Sequence, residues 1–129
     1  MKARKAKLNR KTRETEVSVS MNLDGTGECK IGIEDQFLRH MVETLARYSS
    51  FDIDLTAVGD NKHHVVEDAG IVLGTALRQA LASDPIERVA SATVPMDDAL
   101  VTAAVDMIDR PYVVVECPDD LCMHFFWSL

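Results

Sequence analysis

The sequence predicts an α+β fold, and three observations support this prediction. Residues 17–23 and 53–57 alternate between apolar and polar side chains, which is the period of a half-buried β-strand. Residues 37–48 and 66–80 repeat apolar side chains every three or four positions, which is the period of an amphipathic helix. The order of these elements restarts farther along the chain, so a duplicated unit of hairpin, helix, strand and helix is expected.

The first copy of this unit opens with a predicted hairpin. After the first alternating segment, Asp24-Gly25-Thr26-Gly27 supplies the residue types that tight turns favour, and the return strand contains Cys29 and Ile31. A helix is then expected to start near Glu34, and the second alternating segment is expected to end as a strand at Gly59. The predicted core stripe of the helix consists of Phe37, Leu38, Met41, Val42, Leu45 and Tyr48.

A second helix is predicted after the pair His63-His64. Its predicted core side consists of Val66, Ala69, Leu73, Leu77 and Ala80. Gly70 and Gly74 lie four residues apart, so they share a face of this helix. Because glycine has no side chain, the two positions are expected to let another helix approach closely.

The repeat restarts with predicted strands at 101–108 and 112–116, joined by a turn at 109–111. Residues 35–45 match residues 119–129 at a constant offset of 84, with Asp, His and Leu in equivalent places. We therefore predict one domain over residues 1–129, with a first repeat at about 14–85 and a partial second repeat at about 86–129.

The second repeat is predicted to be incomplete. At the same offset, a second His-His pair would fall beyond Leu129, so an N-terminal portion of a longer duplicated protein is expected. The final apolar residues, Phe125, Phe126, Trp127 and Leu129, are expected to have little left to pack against.

Charge and cysteine content limit the possible partners and location. Seven of the 14 cationic residues lie in the first 13 positions, where there is no acid and no aromatic residue for base stacking. Because the rest of the chain is acidic, neither nucleic acid nor a membrane is expected as a partner. This basic arm is expected to lead into the first strand or to neutralise an acidic neighbour.

The three cysteines lack CxxC spacing and there is no secretory signal, which favours reduced, partly buried thiols and a cytoplasmic location.

The segment His63-His64-Val65-Val66-Glu67 carries the strongest chemical signal. On a helix, Glu67 lies three residues after His64 and four after His63, so either pair can share a face. Imidazole nitrogen with carboxylate oxygen suits manganese, iron or zinc. The two histidines lie about 100° apart around the helix axis, so two ions could take one each. The alternative on these residues alone is a polar helix start in solvent.

Together, the motifs of the chain resemble those of the imidazoleglycerol-phosphate dehydratase family, over essentially its whole length. No single motif is specific, but their order is. The matching segments are Arg13-Glu14-Thr15, Asn22 to Gly27, Phe37-Leu38-Arg39-His40-Met41, Gly59-Asp60, His63 to Asp68, Val94 to Leu100 and Arg110-Pro111-Tyr112.

This resemblance implies two fused copies of a small α+β unit, of the ribosomal protein S5 domain 2-like type, in a large homo-oligomer. It implies two manganese ions per complete site, with His40, His64 and Glu67 on one ion and His63 on the other. His40 lies off the predicted core stripe, at about 300° on the helix, which favours a ligand over a buried structural histidine. Its repeat equivalent, His124, stands beside aromatic residues and is expected to be structural.

The resemblance also implies a substrate, which is a small phosphorylated imidazole. Glu14 would lie beside it as the acid/base, and Arg88 and Arg110 would hold its phosphate. The alternative for Glu14 is a plain charge at a strand edge, and the alternative for each arginine is a surface ion pair. Asp97-Asp98 is expected to cap a helix or loop. The chain departs from the family pattern at Arg39, where many members have Asp.

The implied activity is that of a lyase that removes water from D-erythro-imidazole glycerol phosphate to give imidazole acetol phosphate in histidine biosynthesis. An alternative is a catalytically silent metal-binding or assembly module that lacks the second half of the site. A third, weaker interpretation is a two-metal hydrolase, since the same ligands can activate water.

Overall fold

A computed structural model describes residues 3–81, 85–108, 110–116, 125 and 128–129. It divides into two compact units, one formed by Met1–Ser83 with Val114–Leu129 and the other by Asp84–Val113. The elements are β1 (Lys5–Lys11), β2 (Thr15–Asn22), β3 (Cys29–Ile33), α1 (Gln36–Ser49), β4 (Asp52–Gly59), α2 (Lys62–Leu81), β5 (Val89–Met96) and β6 (Ala99–Asp106). The predicted α+β class is confirmed.

The first unit contains a four-stranded sheet in the order β1-β2-β4-β3. β2 pairs antiparallel with β1 and β4, whereas β3 pairs parallel with β4. The predicted hairpin between β2 and β3 is therefore wrong, because β4 lies between them. Asp52 of β4 stabilises the loop between β2 and β3. Its Oδ1 accepts the N–H groups of Thr26 (2.8 Å) and Glu28 (3.0 Å).

The basic arm is itself the edge strand β1. Its alternating lysines face solvent, while Ala6 is buried against the sheet core. Three cationic side chains of the arm form ion pairs with acidic residues that follow it in the sequence. Arg4 Nη2 lies 2.5 Å from Asp24 Oδ1, Lys11 pairs with Glu16, and Arg10 pairs with Asp68. The expectation that the arm neutralises acidic neighbours is confirmed.

α1 begins at the N-cap residue Asp35, whose Oδ1 accepts the Leu38 N–H at 2.7 Å, and ends at Ser50 in the left-handed conformation (φ 61°). Its buried face consists of Leu38, Val42 and Ala46. Of the six residues in the predicted stripe, two, Leu38 and Val42, are therefore buried. Its other members include Phe37, Leu45 and Tyr48, which are exposed because the helix faces the sheet along the i, i+4, i+8 line.

α2 packs against β1, β2 and β4 and supplies most of the helical part of the core. As predicted, its two glycines allow a close approach. A side chain at Gly70 would meet the Phe125 carbonyl oxygen at 2.8 Å, and one at Gly74 would overlap the Leu129 carbonyl. Phe125 is buried in the core, so the expectation that it has little to pack against is wrong.

The second unit is an antiparallel hairpin of β5 and β6 in which every strand residue is exposed. Its pairing repeats that of β1 and β2 at the offset of 84: Lys5 faces Asn22, and Val89 faces Asp106. Asp97 (φ 51°) lies in the hairpin turn, so the helix alternative of the predicted helix or loop cap is wrong. Residues 112–116 form no strand, contrary to prediction. The repeat boundaries remain a prediction, and His124 lies outside the described residues.

Two further features concern the thiols and the membrane. Cys29 is a free, exposed thiol at the start of the edge strand β3, so its predicted partial burial is wrong. Cys117 and Cys122 lie outside the described residues. No helix in the described part of the chain is long and apolar enough to cross a membrane.

Candidate metal centre

The start of α2 presents both histidines of the His63-His64 pair. Asn61 Oδ1 accepts the His63 N–H at 2.8 Å, and the Asn61 carbonyl accepts the Val65 N–H at 3.1 Å, so Asn61 caps the helix. The two imidazole rings are half-buried, 6.4 Å apart between centroids and inclined at 80°. They therefore point to different partners.

His64 lies among carboxylates. Its Nδ1 is 3.0 Å from Asp60 Oδ1 and 3.7 Å from Glu14 Oε2. The hydrogen bond to Asp60, together with the negative charges of Glu14, Asp60 and Glu67, raises the pKa of the His64 imidazole above its usual value. One ligand atom from each of Glu14, Asp60 and His64 lies within 4.8 Å of the other two.

Glu14 reaches His64 because of how its turn is built. It lies between β1 and β2, where the Thr12 hydroxyl oxygen accepts the N–H groups of Glu14 (3.1 Å) and Thr15 (2.9 Å). The register of β2 and β4 places Thr15 opposite Gly59, and the Asp60 N–H donates to the Glu14 carbonyl at 3.0 Å. Sheet pairing thus joins two segments that lie far apart in the sequence.

A network behind this turn fixes the turn to α2. The Thr15 hydroxyl is buried and donates to the Asp68 carboxylate, which also accepts from the Arg10 guanidinium. The Thr12 and Thr15 hydroxyls are 3.0 Å apart. Because Asp68 follows one turn after His64, the helix that carries the histidines and the turn that carries Glu14 are held together.

The other predicted metal ligands are placed as follows. Glu67 Oε1 lies 3.6 Å from His63 Nε2, so in this structure the Glu67 carboxylate is paired with the His63 imidazole. His40 is exposed on α1, as its predicted position off the core stripe requires, and it is not a member of the Glu14, Asp60 and His64 group. An ion pair of Lys62 Nζ and Asp35 Oδ2, at 2.6 Å, joins the starts of the two helices.

The two predicted phosphate ligands lie in the second unit. Arg88 makes a two-point ion pair with Asp106, with Nη2 and Oδ2 at 2.8 Å, which keeps the pKa of the Asp106 carboxyl below its usual value. Arg110 is exposed in a bend. Neither is part of the Glu14, Asp60 and His64 group.

The donor set fits a divalent cation. Imidazole nitrogens and carboxylate oxygens lie together at the start of α2, where His64 is close to Glu14 and Asp60 and His63 Nε2 is 3.6 Å from Glu67 Oε1. Such mixed nitrogen and oxygen donors suit manganese, iron or zinc. Asp60 was not among the predicted site residues. It lies four positions before His64 but precedes α2, so a pattern of ligands confined to the helix does not include it, although Gly59-Asp60 was one of the motifs behind the family resemblance.

Comparisons with known proteins agree with the motifs. The profile of the family described as Imidazoleglycerol-phosphate dehydratase matches residues 33–127. The chain is 43% identical over 131 residues to an imidazoleglycerol-phosphate dehydratase of Desulfitobacterium hafniense, covering 97% of the chain and 67% of that relative. It is 47% identical over 116 residues to one of Geobacter sulfurreducens, covering 87% of the chain and 60% of that relative. The chain thus spans 60 to 67% of the length of these two curated relatives.

Two solved structures of such enzymes share the fold. The one from Pyrococcus furiosus has a TM-score of 0.74 at 34% identity, covering 94% of this chain and 71% of that chain. The one from Staphylococcus aureus has a TM-score of 0.80 at 26% identity, covering 96% and 75%. By sequence and by fold, the chain belongs to the imidazoleglycerol-phosphate dehydratase family.

Proposed function

We propose that the chain provides part of a manganese-dependent imidazoleglycerol-phosphate dehydratase. The reaction removes water from D-erythro-imidazole glycerol phosphate and gives imidazole acetol phosphate in histidine biosynthesis. The observation that carries the proposal is the Glu14 carboxylate 3.7 Å from His64 Nδ1, because it brings a proton-transfer group beside a candidate metal ligand. Family membership supports the same reaction.

The proposed metal ligands are His40, His63, His64 and Glu67. The carbon that loses its proton in this reaction is not acidic, so negative charge must be stabilised as water leaves. Bound manganese would supply that stabilisation as a Lewis acid. The half-buried imidazoles of His63 and His64 diverge, which suits two ions better than one.

Three further side chains would act on the substrate. Glu14 would take the proton from carbon and pass a proton to the departing hydroxyl, which leaves as water, since its carboxylate is exposed and its backbone is fixed on both sides. Arg88 and Arg110 would each offer a planar fork of N–H donors to the phosphate. For Arg88, this requires exchange of Asp106 for the phosphate, which is feasible because the ion pair is exposed.

Location and assembly follow from the same proposal. A biosynthetic enzyme with an exposed free thiol at Cys29 suits a reducing cytoplasm. A large homo-oligomer is proposed from the family resemblance.

Manganese titration of the purified chain, followed by calorimetry, tests the metal site. His64→Ala should abolish most binding, because it removes the imidazole that shares one ion with His40 and Glu67 in the proposed ligand set. His63→Ala is the matched control. It should leave most of that binding, because the His63 ring is inclined at 80° to the His64 ring and belongs to the other ion of the proposed pair. Equal losses in the two variants would contradict this assignment.

Activity is tested on a manganese-loaded protein that continues this chain to the length of its relatives, by incubating it with the substrate and detecting imidazole acetol phosphate. The present chain alone should show no measurable turnover, because it carries one His-His-x-x-Glu segment. Glu14→Gln should abolish turnover and retain metal binding if Glu14 moves the proton. Metal binding without product by that longer protein, when it is folded, would instead favour the catalytically silent module. Hydrolysis of phosphate esters without dehydration would favour the two-metal hydrolase.

A further inference from the structure

We propose that Asp60 is a positioning residue that holds His64 by Nδ1 and so makes Nε2 the nitrogen that binds a divalent cation. This inference rests on the proposed function only for the identity of the metal. It extends the site beyond the predicted ligands, because it assigns a role to a carboxylate that precedes the helix bearing the histidines.

The first step of the argument is chemical. A neutral imidazole has one N–H donor and one lone-pair nitrogen, whereas an ionised carboxylate only accepts hydrogen bonds. Asp60 Oδ1 lies 3.0 Å from His64 Nδ1, which is hydrogen-bond distance. Nδ1 therefore carries the proton in the neutral ring, and the lone pair is on Nε2. Metal-bound histidines commonly donate their other N–H to a carboxylate in this way.

The second step concerns Glu14. Its carboxylate is 3.7 Å from the same Nδ1, beyond hydrogen-bond distance. Asp60 satisfies the donor, so Glu14 is left free to exchange protons with a substrate. If the cation instead lay among Glu14, Asp60 and His64, Nδ1 would have to lose its proton and its bond to Asp60.

The third step is that Asp60 is itself fixed. Its N–H donates to the Glu14 carbonyl at 3.0 Å, and it follows directly on the last residue of β4. The backbone of one residue thus aligns the Glu14 turn while its side chain aligns His64. A change of the Asp60 side chain leaves the backbone bond in place, and this side chain is half exposed, so the variants are expected to fold.

The first test uses the metal-free protein labelled with nitrogen-15 in its histidines, at a pH where the imidazoles are neutral. The His64 signals, assigned by their loss in His64→Ala, should report the Nδ1–H tautomer in the wild type. Asp60→Ala should shift His64 towards the Nε2–H tautomer and leave His63 unchanged. An unchanged His64 tautomer in Asp60→Ala would overturn the proposal.

The second test is the manganese affinity of the same proteins. Asp60→Ala should weaken binding by about 10- to 100-fold, the usual effect of losing such a partner. Asp60→Asn should recover most of the affinity, because its amide oxygen can still accept from Nδ1. Asp54→Asn is the matched control. It removes an exposed carboxylate from the outer face of β4, and affinity should not change.

The outcomes separate the two proposals. If Asp60→Asn binds manganese as poorly as Asp60→Ala, Asp60 is a direct ligand and the positioning role is overturned. If the wild type binds no manganese but the tautomer shift is observed, the positioning role stands and the proposed function fails.

Discussion

The two hairpins of this protein share one pattern of residue pairing and differ in everything that surrounds it. Each partner in β5 and β6 is the residue 84 positions after its counterpart in β1 and β2. In the first hairpin, Val17, Val19 and Met21 are buried beneath α2; their counterparts Val101, Ala103 and Val105 are exposed. The two hairpins therefore have the same strand register although their side chains differ in burial. In the first hairpin, packing of α2 buries the inward-facing side chains.

The inward faces also differ in chemistry. The first hairpin places Arg10 and Thr15 against Asp68 of α2, and the equivalent positions of the second hairpin are Val94 and Ala99. The polar pair fixes the turn that carries Glu14. Of the two hairpins, the first therefore holds its turn against the helix that bears the histidines.

The largest expected effect comes from trimming the matched valines. Val17→Ala removes two methyl groups from a fully buried site, so the free energy of unfolding should fall by about 2 to 3 kcal/mol. Val101→Ala changes a side chain that is 63% exposed and should cost less than about 0.5 kcal/mol. Urea unfolding followed by circular dichroism measures both. Equal losses would mean that the second hairpin is as well covered as the first.

Gly59→Ala should have the next largest effect, because Gly59 is where β4 meets the turn of the first hairpin. An added Cβ would lie 2.8 Å from the Glu14 carbonyl oxygen and 2.8 Å from Val65 Cγ2, so one of them must move. The expected cost is about 1 to 2 kcal/mol of unfolding free energy. Weaker manganese binding should accompany it, since the Glu14 turn and Asp60 shift together.

Gly32→Ala is the control for this substitution. A Cβ there would meet Thr56 Oγ1 at an ordinary 3.4 Å, so neither the urea midpoint nor manganese affinity should change appreciably. If Gly59→Ala behaves like Gly32→Ala, the turn is looser than its contacts imply.

How much of this could be predicted from the sequence depends on the range of the interactions. Helix α2, strand β4 and the exposed position of His40 followed from local periodicity. β1 was missed because its lysines and arginines obscured the single buried Ala6. The β2–β3 hairpin was wrong because strand order is a non-local property: nothing near residue 24 indicates that β4 inserts between them.

The candidate site shows the same limit. Glu14, His63, His64 and Glu67 were predicted through motifs. The contact of Glu14 with His64, however, depends on the register of β2 and β4, across 50 positions of sequence. Asp60 was missed as a site residue because its role depends on one side-chain hydrogen bond made from just before the helix.

A smaller effect is expected when one polar position of the first hairpin is made like its counterpart. Thr15→Ala gives the position the identity of Ala99 and removes a buried hydroxyl that donates to Asp68, so about 1 kcal/mol of unfolding free energy should be lost. Thr102→Ala is the control, because its hydroxyl contact with Thr93 is exposed. A change below about 0.3 kcal/mol for Thr15→Ala would mean that Asp68 does not stabilise the turn through Thr15.

The smallest expected effect compares two carboxylates, the partly exposed Asp52 in the first unit and the exposed Asp106 in the second. The pKa of Asp52 is lowered by the N–H groups of Thr26 and Glu28, and the pKa of Asp106 is lowered by its ion pair with Arg88. A lowered pKa in the folded state stabilises the fold above the unfolded-state value of about 3.9, and this contribution is lost as the pH falls through the lowered pKa.

Asp52→Asn should therefore lower the urea midpoint at pH 7, and the difference from the wild type should shrink as the pH falls below about 4. Added salt distinguishes the two carboxylates. It should reduce any deficit of Asp106→Asn, because an exposed ion pair is screened, and leave that of Asp52→Asn largely intact, because backbone N–H donors hold it. A deficit of Asp52→Asn that persists unchanged in acid would show that the amide disturbs the loop sterically. The carboxylate charge would then have no part in holding the loop between β2 and β3.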